Sequence, residues 1–220
     1  MRITSAFFFT FFILLSFSCE KSEHHSIPKT ANEALTALME GNERFINNAS
    51  IHHNFIDEAH HSEKEQHPHT FVLSCIDSRV PPEIVFDQGI GNLFVARVAG
   101  NIEDPNILGS MEYAVQVKGT KLLVVLGHSN CGAVQGAIDN VNLGHLTQLT
   151  NQIKVAFSHH RTYPLPEHLS DETGRLNVLS TIDHILSSSK MIRDLVHQKK
   201  IKIVGTFYDL HTGKVELLQS

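Results

Sequence analysis

Three side chains that can bind a metal ion stand at Cys75, His128 and Cys131. Two thiolates and one imidazole form a ligand set that suits a borderline-soft dication such as Zn²⁺. Only two residues separate His128 from Cys131, so one turn of the chain can direct both side chains to a common point. Three protein ligands leave the fourth position of a tetrahedral ion open, which is typical of catalytic rather than structural zinc.

Two other interpretations use the same cysteines. In an oxidising compartment Cys75 and Cys131 could pair as a disulfide, and elsewhere they could simply pack in a core. Neither interpretation explains why Asp77 and Arg79 follow Cys75 at intervals of two and four residues. A redox dithiol is disfavoured because the sequence contains no Cys-x-x-Cys. We therefore favour a metal site.

Asp77 and Arg79 add a second chemical function next to Cys75. A carboxylate beside a metal-bound water can accept its hydrogen bond, or can itself occupy the fourth position of the metal. An arginine that pairs with this carboxylate through two hydrogen bonds keeps it ionised and holds it off the metal. We predict these two residues as a catalytic pair, with Asp77 as a fourth ligand in a closed state. The alternative is a surface ion pair of little energetic value.

The elements that must position these residues alternate along the chain. Short apolar runs predict strands at 70–74, 93–98, 121–126, 200–208 and 214–218. Helical periods follow at 105–115, 146–157 and 178–196. The alternation predicts an α/β fold, with a mainly parallel sheet of four to five strands flanked by helices. Ligands gather at the carboxyl ends of such strands, where Cys75 and His128 stand.

An N-terminal helical arm is predicted before the first strand. Apolar residues recur at helical spacing between Ala34 and Phe45, and Thr30 or Asn32 can cap the start. Such a helix must bury its apolar face, and a partner subunit is one candidate surface. The polar segment that follows is rich in histidine, with His52, His53, His60, His61, His67 and His69. We interpret it as a solvated surface because its histidines lack acids or cysteines at ligand spacing.

The first 18 residues have the features of an export signal. Arg2 is positive, 6–17 is an apolar run, and Ser16 to Ser18 give a small-x-small cleavage pattern. The run is shorter than the roughly 20 residues of a bilayer span, and an uncleaved anchor is the alternative. Cys19 resembles a bacterial lipid-attachment site, although Ser16 replaces the usual leucine. We expect an exported, periplasmic protein, with lipid anchoring at Cys19 and simple cleavage both open.

The remaining chain divides into a flexible leader at 19–29 and one domain at 30–220. A length of about 200 residues suits a single core. The sequence is 41% hydrophobic and 19% charged, which is ordinary for a globular domain. Its net charge of -5 offers no basic footprint, so nucleic acid is not an expected partner.

The segment from Cys75 to Cys131 resembles the β-class carbonic anhydrases in four stretches, CIDSRVPPEIVFD, GNLFVARVAGN, GSMEYAV and VLGHSNCGAV. The resemblance extends from the helix ALTALMEGNERF to the C-terminal strands. It implies zinc on Cys75, His128 and Cys131, with Asp77 and Arg79 as a catalytic dyad. The implied reaction is the reversible hydration of carbon dioxide to bicarbonate and a proton. A homodimer, often paired into a homotetramer, is also implied, with N-terminal helices embracing the neighbouring subunit.

The same resemblance implies a substrate pocket. Gln66 matches a glutamine that donates to substrate in the plant-like subgroup, and Phe94 and Tyr113 match residues of its apolar wall. An apolar wall suits carbon dioxide, which has almost no polar handle, although core packing explains Phe94 and Tyr113 equally well. Gly132, directly after Cys131, completes the predicted substrate contacts.

Another subgroup has an inhibitory bicarbonate site that includes an arginine and a tryptophan. Arg97 matches the arginine, but Val72 stands in place of the tryptophan, so we do not expect that regulation. Two alternative functions stay open. The zinc site could hydrolyse carbon disulfide or carbonyl sulfide, as in close relatives of the family, or the protein could be an exported zinc-binding or scaffold lipoprotein without catalysis. The intact Asp77–Arg79 pair disfavours the scaffold, because metal storage does not need it.

Overall fold

The computed structural model describes residues 27–51, 53–157 and 169–218. The predicted signal peptide, Cys19, most of the leader and His52 lie outside the described residues. Among the residues described, none of the helices combines the length and apolar character that a bilayer crossing requires.

Helices and strands alternate along most of the described chain. The helices are α1 (Ala31–Ile46), α2 (Phe55–Ser62), α3 (Pro82–Val85), α4 (Pro105–Gln116), α5 (Gly132–Ile138), α6 (Leu146–Phe157), α7 (Leu169–Ser188) and α8 (Lys190–His197). The strands are β1 (Thr70–Ser74), β2 (Leu93–Arg97), β3 (Leu122–His128), β4 (Lys202–Tyr208) and β5 (Val215–Leu218). A 3-10 turn at Ala99–Asn101 follows β2.

The strands form one sheet in the order β2-β1-β3-β4-β5. Strands β1 to β4 are parallel, and β5 pairs with β4 in the antiparallel direction. The predicted α/β fold with a mainly parallel sheet of four to five strands is therefore confirmed. Ser74 at the end of β1 lies beside Leu126 of β3, so Cys75 and His128 emerge from neighbouring strands at the same edge of the sheet.

Helices cover both faces of the sheet, which explains why β1 and β3 are buried along their whole length. Successive side chains of a strand point to opposite faces. Phe71 and Leu73 pack with residues of α4, α7 and α8 in one core cluster. Val72 packs in a second cluster with residues of α1 and α3. A third, smaller cluster contains Cys75 and Cys131 and lies at the carboxyl edge of the sheet.

The N-terminal helix α1 is anchored on its own domain. Thr30 caps it in a capping box with Glu33. The side chain of Asn42 donates to the carbonyl oxygens of Val85 and Gly213 at 3.1 and 2.9 Å, and accepts from the amide of Val215 at 2.8 Å. The buried face of α1 therefore contacts its own core, and the predicted embrace of a neighbouring subunit stays a prediction.

One helix was predicted wrongly. The helix predicted at 178–196 is two helices, because Ser189 has an extended backbone and its hydroxyl caps α8 by accepting from the amide of Ile192. The same hydroxyl donates to Oε1 of Glu112 at 2.6 Å, a contact from a distant part of the chain. The interpretation of the histidine-rich segment as a solvated surface holds for the short helix α2, whose residues are all at least partly exposed, but not for His69, which is buried.

Candidate metal centre

The structure brings the three predicted metal ligands together. The Sγ atoms of Cys75 and Cys131 lie 3.9 Å apart. Their sulfurs and a ring nitrogen of His128 all lie within 4.8 Å of one another, and all three residues are buried. Two sulfurs bound to one tetrahedral zinc ion at about 2.3 Å would be roughly 3.8 Å apart. The spacing therefore fits a single ion between the side chains.

Both cysteines are free thiols rather than a disulfide. A covalent pair would have its sulfurs about 2.05 Å apart, far less than the observed 3.9 Å. The disulfide interpretation of Cys75 and Cys131 therefore does not describe this structure.

His128 presents one ring nitrogen to this site. Its Nδ1 lies 2.9 Å from the carbonyl oxygen of Ser129 and donates to it, which leaves the lone pair on Nε2. Within the described part of the chain, Nε2 is buried and has no hydrogen-bond partner. A buried nitrogen without a partner is costly unless something else satisfies it. The backbone bond on Nδ1 is the usual arrangement of a histidine that binds a metal through Nε2.

The sulfurs of the two thiols are close enough to share a hydrogen bond. The hydrogen bond from Cys131 lowers the pKa of the Cys75 thiol to about 4, and the same bond, aided by burial, raises the pKa of Cys131. The amide of Gly100 also donates to the Cys75 sulfur, at 3.4 Å. A bound dication would favour the thiolate form of both residues, because the thiolate is the form that binds metal.

A strained turn after β2 supports the Cys75 sulfur. Gly100 has a φ of 73°, and a Cβ there would lie 2.5 Å from Cδ1 of Ile153. Only glycine fits this conformation and this close approach. Asn177 of α7 donates from Nδ2 to the Gly100 carbonyl oxygen at 2.7 Å, which holds the turn in place.

Arg97, at the end of β2, holds the backbone around Cys75. Its Nε donates to the carbonyl oxygen of Cys75 at 2.9 Å, and its Nη2 donates to the carbonyl oxygen of Asp77 at 2.5 Å. Val72 is fully buried in the core. The match of Arg97 to a regulatory arginine did not indicate this role; its position at the end of a strand beside β1 is the only signal in the sequence.

The turn from His128 to Cys131 is tied to two other elements. The amide of Ser129 donates to the carbonyl oxygen of Tyr208 at 2.9 Å. The amide of Asn130 donates to Oδ1 of Asp171 in α7, also at 2.9 Å. Cys131 then occupies the N-cap position of α5. Residue types and spacing do not single out Asp171, because it acts on a backbone atom 41 residues away.

Asp77 and Arg79 form the predicted pair. Arg79 donates from Nε to Oδ1 at 2.9 Å and from Nη2 to Oδ2 at 2.7 Å. These bonds hold the pKa of Asp77 well below its usual range. Oδ2 of Asp77 lies 4.0 Å from Nε2 of His128. The carboxylate therefore faces the ligand cluster as an ionised acceptor, while Arg79 holds it.

The predicted substrate residues lie in different parts of the molecule, and only some of them are close to the predicted metal ligands. Gly132 follows Cys131, is exposed and has open space around its Cα. Phe94 and Tyr113 contact each other with ring centroids 6.2 Å apart, on the edge strand β2 and on α4. Gln66 is exposed before the start of β1, whereas Cys75 follows its end. Strand β1 is roughly 16 Å long. Gln66 and the predicted metal ligands of the same chain therefore lie at opposite ends of this strand.

Comparison with known proteins places this geometry in a family. Residues 70–215 match the family model described as carbonic anhydrase. Carbonic anhydrase 2 of Mycobacterium tuberculosis is 35% identical over 190 residues, covering 84% of this chain and 91% of the relative. The carbonic anhydrase of Mycolicibacterium smegmatis is 36% identical over the same length and the same shares of both chains.

Solved structures agree with the fold. A tetrameric β-carbonic anhydrase of Sordaria macrospora aligns with a TM-score of 0.66 at 26% identity, covering 74% of this chain and 90% of the other. A Coccomyxa β-carbonic anhydrase solved with acetazolamide gives a TM-score of 0.67 at 24% identity over 84% and 86%, a likeness of fold. Sequence and structure together show that this chain belongs to the β class of the carbonic anhydrase family and is an enzyme of that family.

Proposed function

We propose that this protein is a zinc enzyme that reversibly hydrates carbon dioxide to bicarbonate and a proton. The observation that carries the proposal is the buried Nε2 of His128, which has no hydrogen-bond partner among the described residues and lies beside the sulfurs of Cys75 and Cys131. This donor set suits zinc because thiolates and imidazole are its preferred protein ligands. When bound by these three residues, zinc would act as a Lewis acid that lowers the pKa of a coordinated water to about 7.

Asp77 supplies the acceptor that orients the attacking water. Its paired bonds to Arg79 keep the carboxylate ionised, since they lower its pKa. An ionised carboxylate is an acceptor only, so it can fix a water hydrogen and leave a lone pair directed toward carbon dioxide. Arg79 also restrains Asp77 from moving into the ligand cluster, whose nearest ring nitrogen is 4.0 Å away.

Substrate approaches beside Gly132. The glycine has no side chain to obstruct the space next to Cys131, and it is exposed at the start of α5. Carbon dioxide needs apolar surface more than polar contacts. Within one chain, the aromatic pair Phe94 and Tyr113 lies on the outer edge of the sheet, and Gln66 lies at the far end of β1.

A homo-oligomer would complete the substrate pocket. Tyr113 of α4 is 45% exposed, and Val117, directly after the helix, is 65% exposed. Tyr113 contacts Phe94 of β2, which is the outermost strand on its side of the sheet among the described residues. Large apolar side chains exposed beside an open sheet edge are typical of an interface. We propose that the protein forms homodimers, alone or paired into tetramers, and that Gln66, Phe94 and Tyr113 reach the metal centre of a neighbouring subunit.

Export is the proposed location. The support is the charge of Arg2, the apolar run at 6–17 and the small residues before Cys19. Labelling with a radioactive fatty acid in a bacterial host would separate lipid attachment at Cys19 from simple cleavage, because only the former incorporates the label.

Carbon dioxide hydration by stopped flow tests the function. The zinc content and the rate of carbon dioxide hydration should both fall to background in Cys131→Ser. Two histidine variants that are matched in chemistry should differ from each other in both quantities. His128→Gln removes a ligand, while His61→Gln changes an exposed residue of α2 and should keep both zinc and rate. Equal rates for wild type and Cys131→Ser would overturn the proposal. Faster turnover of carbonyl sulfide or carbon disulfide than of carbon dioxide would support the alternative substrate.

A further inference from the structure

The backbone amide between two metal ligands is held by a carboxylate from another element. Asn130 lies between His128 and Cys131, and its amide donates to Oδ1 of Asp171 at 2.9 Å. Asp171 stands in the first turn of α7. The contact therefore fixes the ligand turn to a helix that is far away in sequence.

Asn130 has a conformation that needs such support. Its φ is 53°, in the left-handed region that asparagine adopts more readily than most residues with a side chain, although still uncommonly. Unusual backbone conformations persist where the surroundings determine them. Here the amide of Asn130 is bound by Asp171, and its carbonyl oxygen accepts from Nη2 of Arg79 at 3.4 Å. One residue thus links α7 to both the ligand turn and the Asp77–Arg79 pair.

An alternative explanation for an acidic residue at position 171 is that its charge interacts favourably with the dipole of α7. Acidic residues near a helix N-terminus are stabilising, and Glu172 shares the same first turn. The dipole accounts for the presence of acids there, but not for the direction of Oδ1 toward Asn130. The bond to the ligand turn needs a separate reason.

Solvent exposure helps to separate two roles of Asp171, positioning the ligand turn and stabilising the fold. Asn130 is exposed and Asp171 is half-buried, so water could replace the carboxylate as the acceptor at little cost in folding free energy. Water would not, however, fix where the amide lies. Loss of the carboxylate should therefore loosen the ligand geometry more than it destabilises the fold.

We propose that Asp171 is a positioning residue of the metal centre. Its carboxylate holds the turn from His128 to Cys131 in the geometry that binds the ion and, through the carbonyl group of Asn130, supports Arg79. Groups that orient metal ligands in this way commonly change metal affinity 10- to 100-fold when removed. The inference rests on the proposed zinc function.

The rate of zinc release from the full chain tests the positioning role of Asp171. Zinc-loaded wild type, Asp171→Ala and Asp171→Asn are mixed with excess chelator, and the release rate and Tm of each are measured. We expect Asp171→Ala to release zinc roughly 10- to 100-fold faster with little change in Tm. Asp171→Asn should stay near the wild-type rate, because its amide oxygen can accept the same bond.

Asp104→Ala is the matched control. Asp104 also accepts from backbone amides, those of Asn106 and Ile107, but caps α4 outside the metal centre. The Asp104→Ala variant should have a lower Tm than wild type but the same rate of zinc release. A wild-type release rate in Asp171→Ala would overturn the inference, as would equally fast release from Asp104→Ala or from Asp171→Asn. Wild-type protein that binds no zinc would instead overturn the proposed function on which the inference rests.

Discussion

The guanidinium of Arg97 holds the backbone of Cys75, with Nε donating to the Cys75 carbonyl oxygen at 2.9 Å. A second bond from Arg97, to the carbonyl oxygen of Asp77, makes the contact a two-point clamp. The clamp extends from the edge strand β2 to the loop that carries Cys75 and Asp77. Arg97 therefore couples the position of the proposed sulfur ligand to that of the proposed water-orienting carboxylate.

Arg97→Gln should weaken metal binding. The shorter amide cannot reach two carbonyl groups as a planar guanidinium does, so zinc release should become roughly tenfold faster. Arg193→Gln is a matched control, because Arg193 also donates to two carbonyl oxygens, those of Leu186 and Ser187, outside the metal centre. Equal release rates for the two variants would contradict the clamp.

Arg79→Gln should change how stability depends on pH. Arg79 holds the pKa of Asp77 below its usual range. A carboxyl with a depressed pKa stabilises the fold at pH values above the ordinary aspartate value of about 3.9, and this contribution is lost as the pH falls. Zinc-free Arg79→Gln should melt below the wild type at pH 7, with a modest gap because the pair is partly solvated.

Calorimetry across the acid range provides the measurement. The gap between Arg79→Gln and wild type should shrink as the pH falls below about 4. Lys202→Gln serves as the control, since the exposed Lys202 donates to the neutral side chain of Asn32 rather than to a carboxylate, and its gap from wild type should not change with pH. A gap for Arg79→Gln that stays constant with pH would contradict the assignment.

Glu103→Gln should stabilise the protein at neutral pH. Glu103 is 7% exposed, and its Oε2 has no hydrogen-bond partner among the described residues. Burial raises its pKa despite the nearby His184. A carboxyl with a raised pKa favours the fold while protonated, and that contribution is lost as the pH rises through the folded pKa.

The neutral amide avoids the cost of burying a charge. The Tm of Glu103→Gln should exceed the wild-type value at pH 8 and converge with it near pH 4, close to the ordinary pKa of glutamate. Thermal melts at both pH values check this. A lower Tm for the variant at pH 8 would show that the contact with His184, 3.4 Å from Oε1 of Glu103, outweighs the desolvation of Glu103.

Gly41→Ala should be strongly destabilising. A Cβ at Gly41 would lie 1.8 Å from the carbonyl oxygen of Phe86, so α1 would have to move away from the core. We expect a loss of at least 1–3 kcal/mol, the typical cost of overpacking. Gly109→Ala in α4 has open space and should instead gain about 0.5–1 kcal/mol. Urea denaturation measures both, and a neutral Gly41→Ala would contradict the close docking of α1.

Regular elements could be predicted closely from the sequence. The apolar run at 70–74 matches β1, and the Asp104-Pro105 signal marks the start of α4, where Asp104 caps the helix. These predictions succeed because strand burial and helix capping leave local patterns in residue type. The break between α7 and α8 leaves no such pattern, since it depends on Ser189 meeting Glu112 of α4.

Some residues of the candidate site could likewise be predicted from the sequence, and others could not. Cys75, His128, Cys131 and the Asp77–Arg79 pair could be predicted because their side-chain chemistry and spacing are visible in the chain. Arg97 and Asp171 could not, because they bind backbone atoms, which every residue has and no sequence pattern marks.

Residue type, periodicity and spacing were enough to predict the fold class and the residues able to bind metal, and the resemblance of four motifs was enough to predict the family. The folded chain was needed to show that the sulfurs of Cys75 and Cys131 lie 3.9 Å apart and are not joined in a disulfide. It also placed Gln66 beyond the reach of the metal ligands in its own chain. Such distances follow from strand order and packing, which join residues whose separation in sequence carries no information about their separation in space.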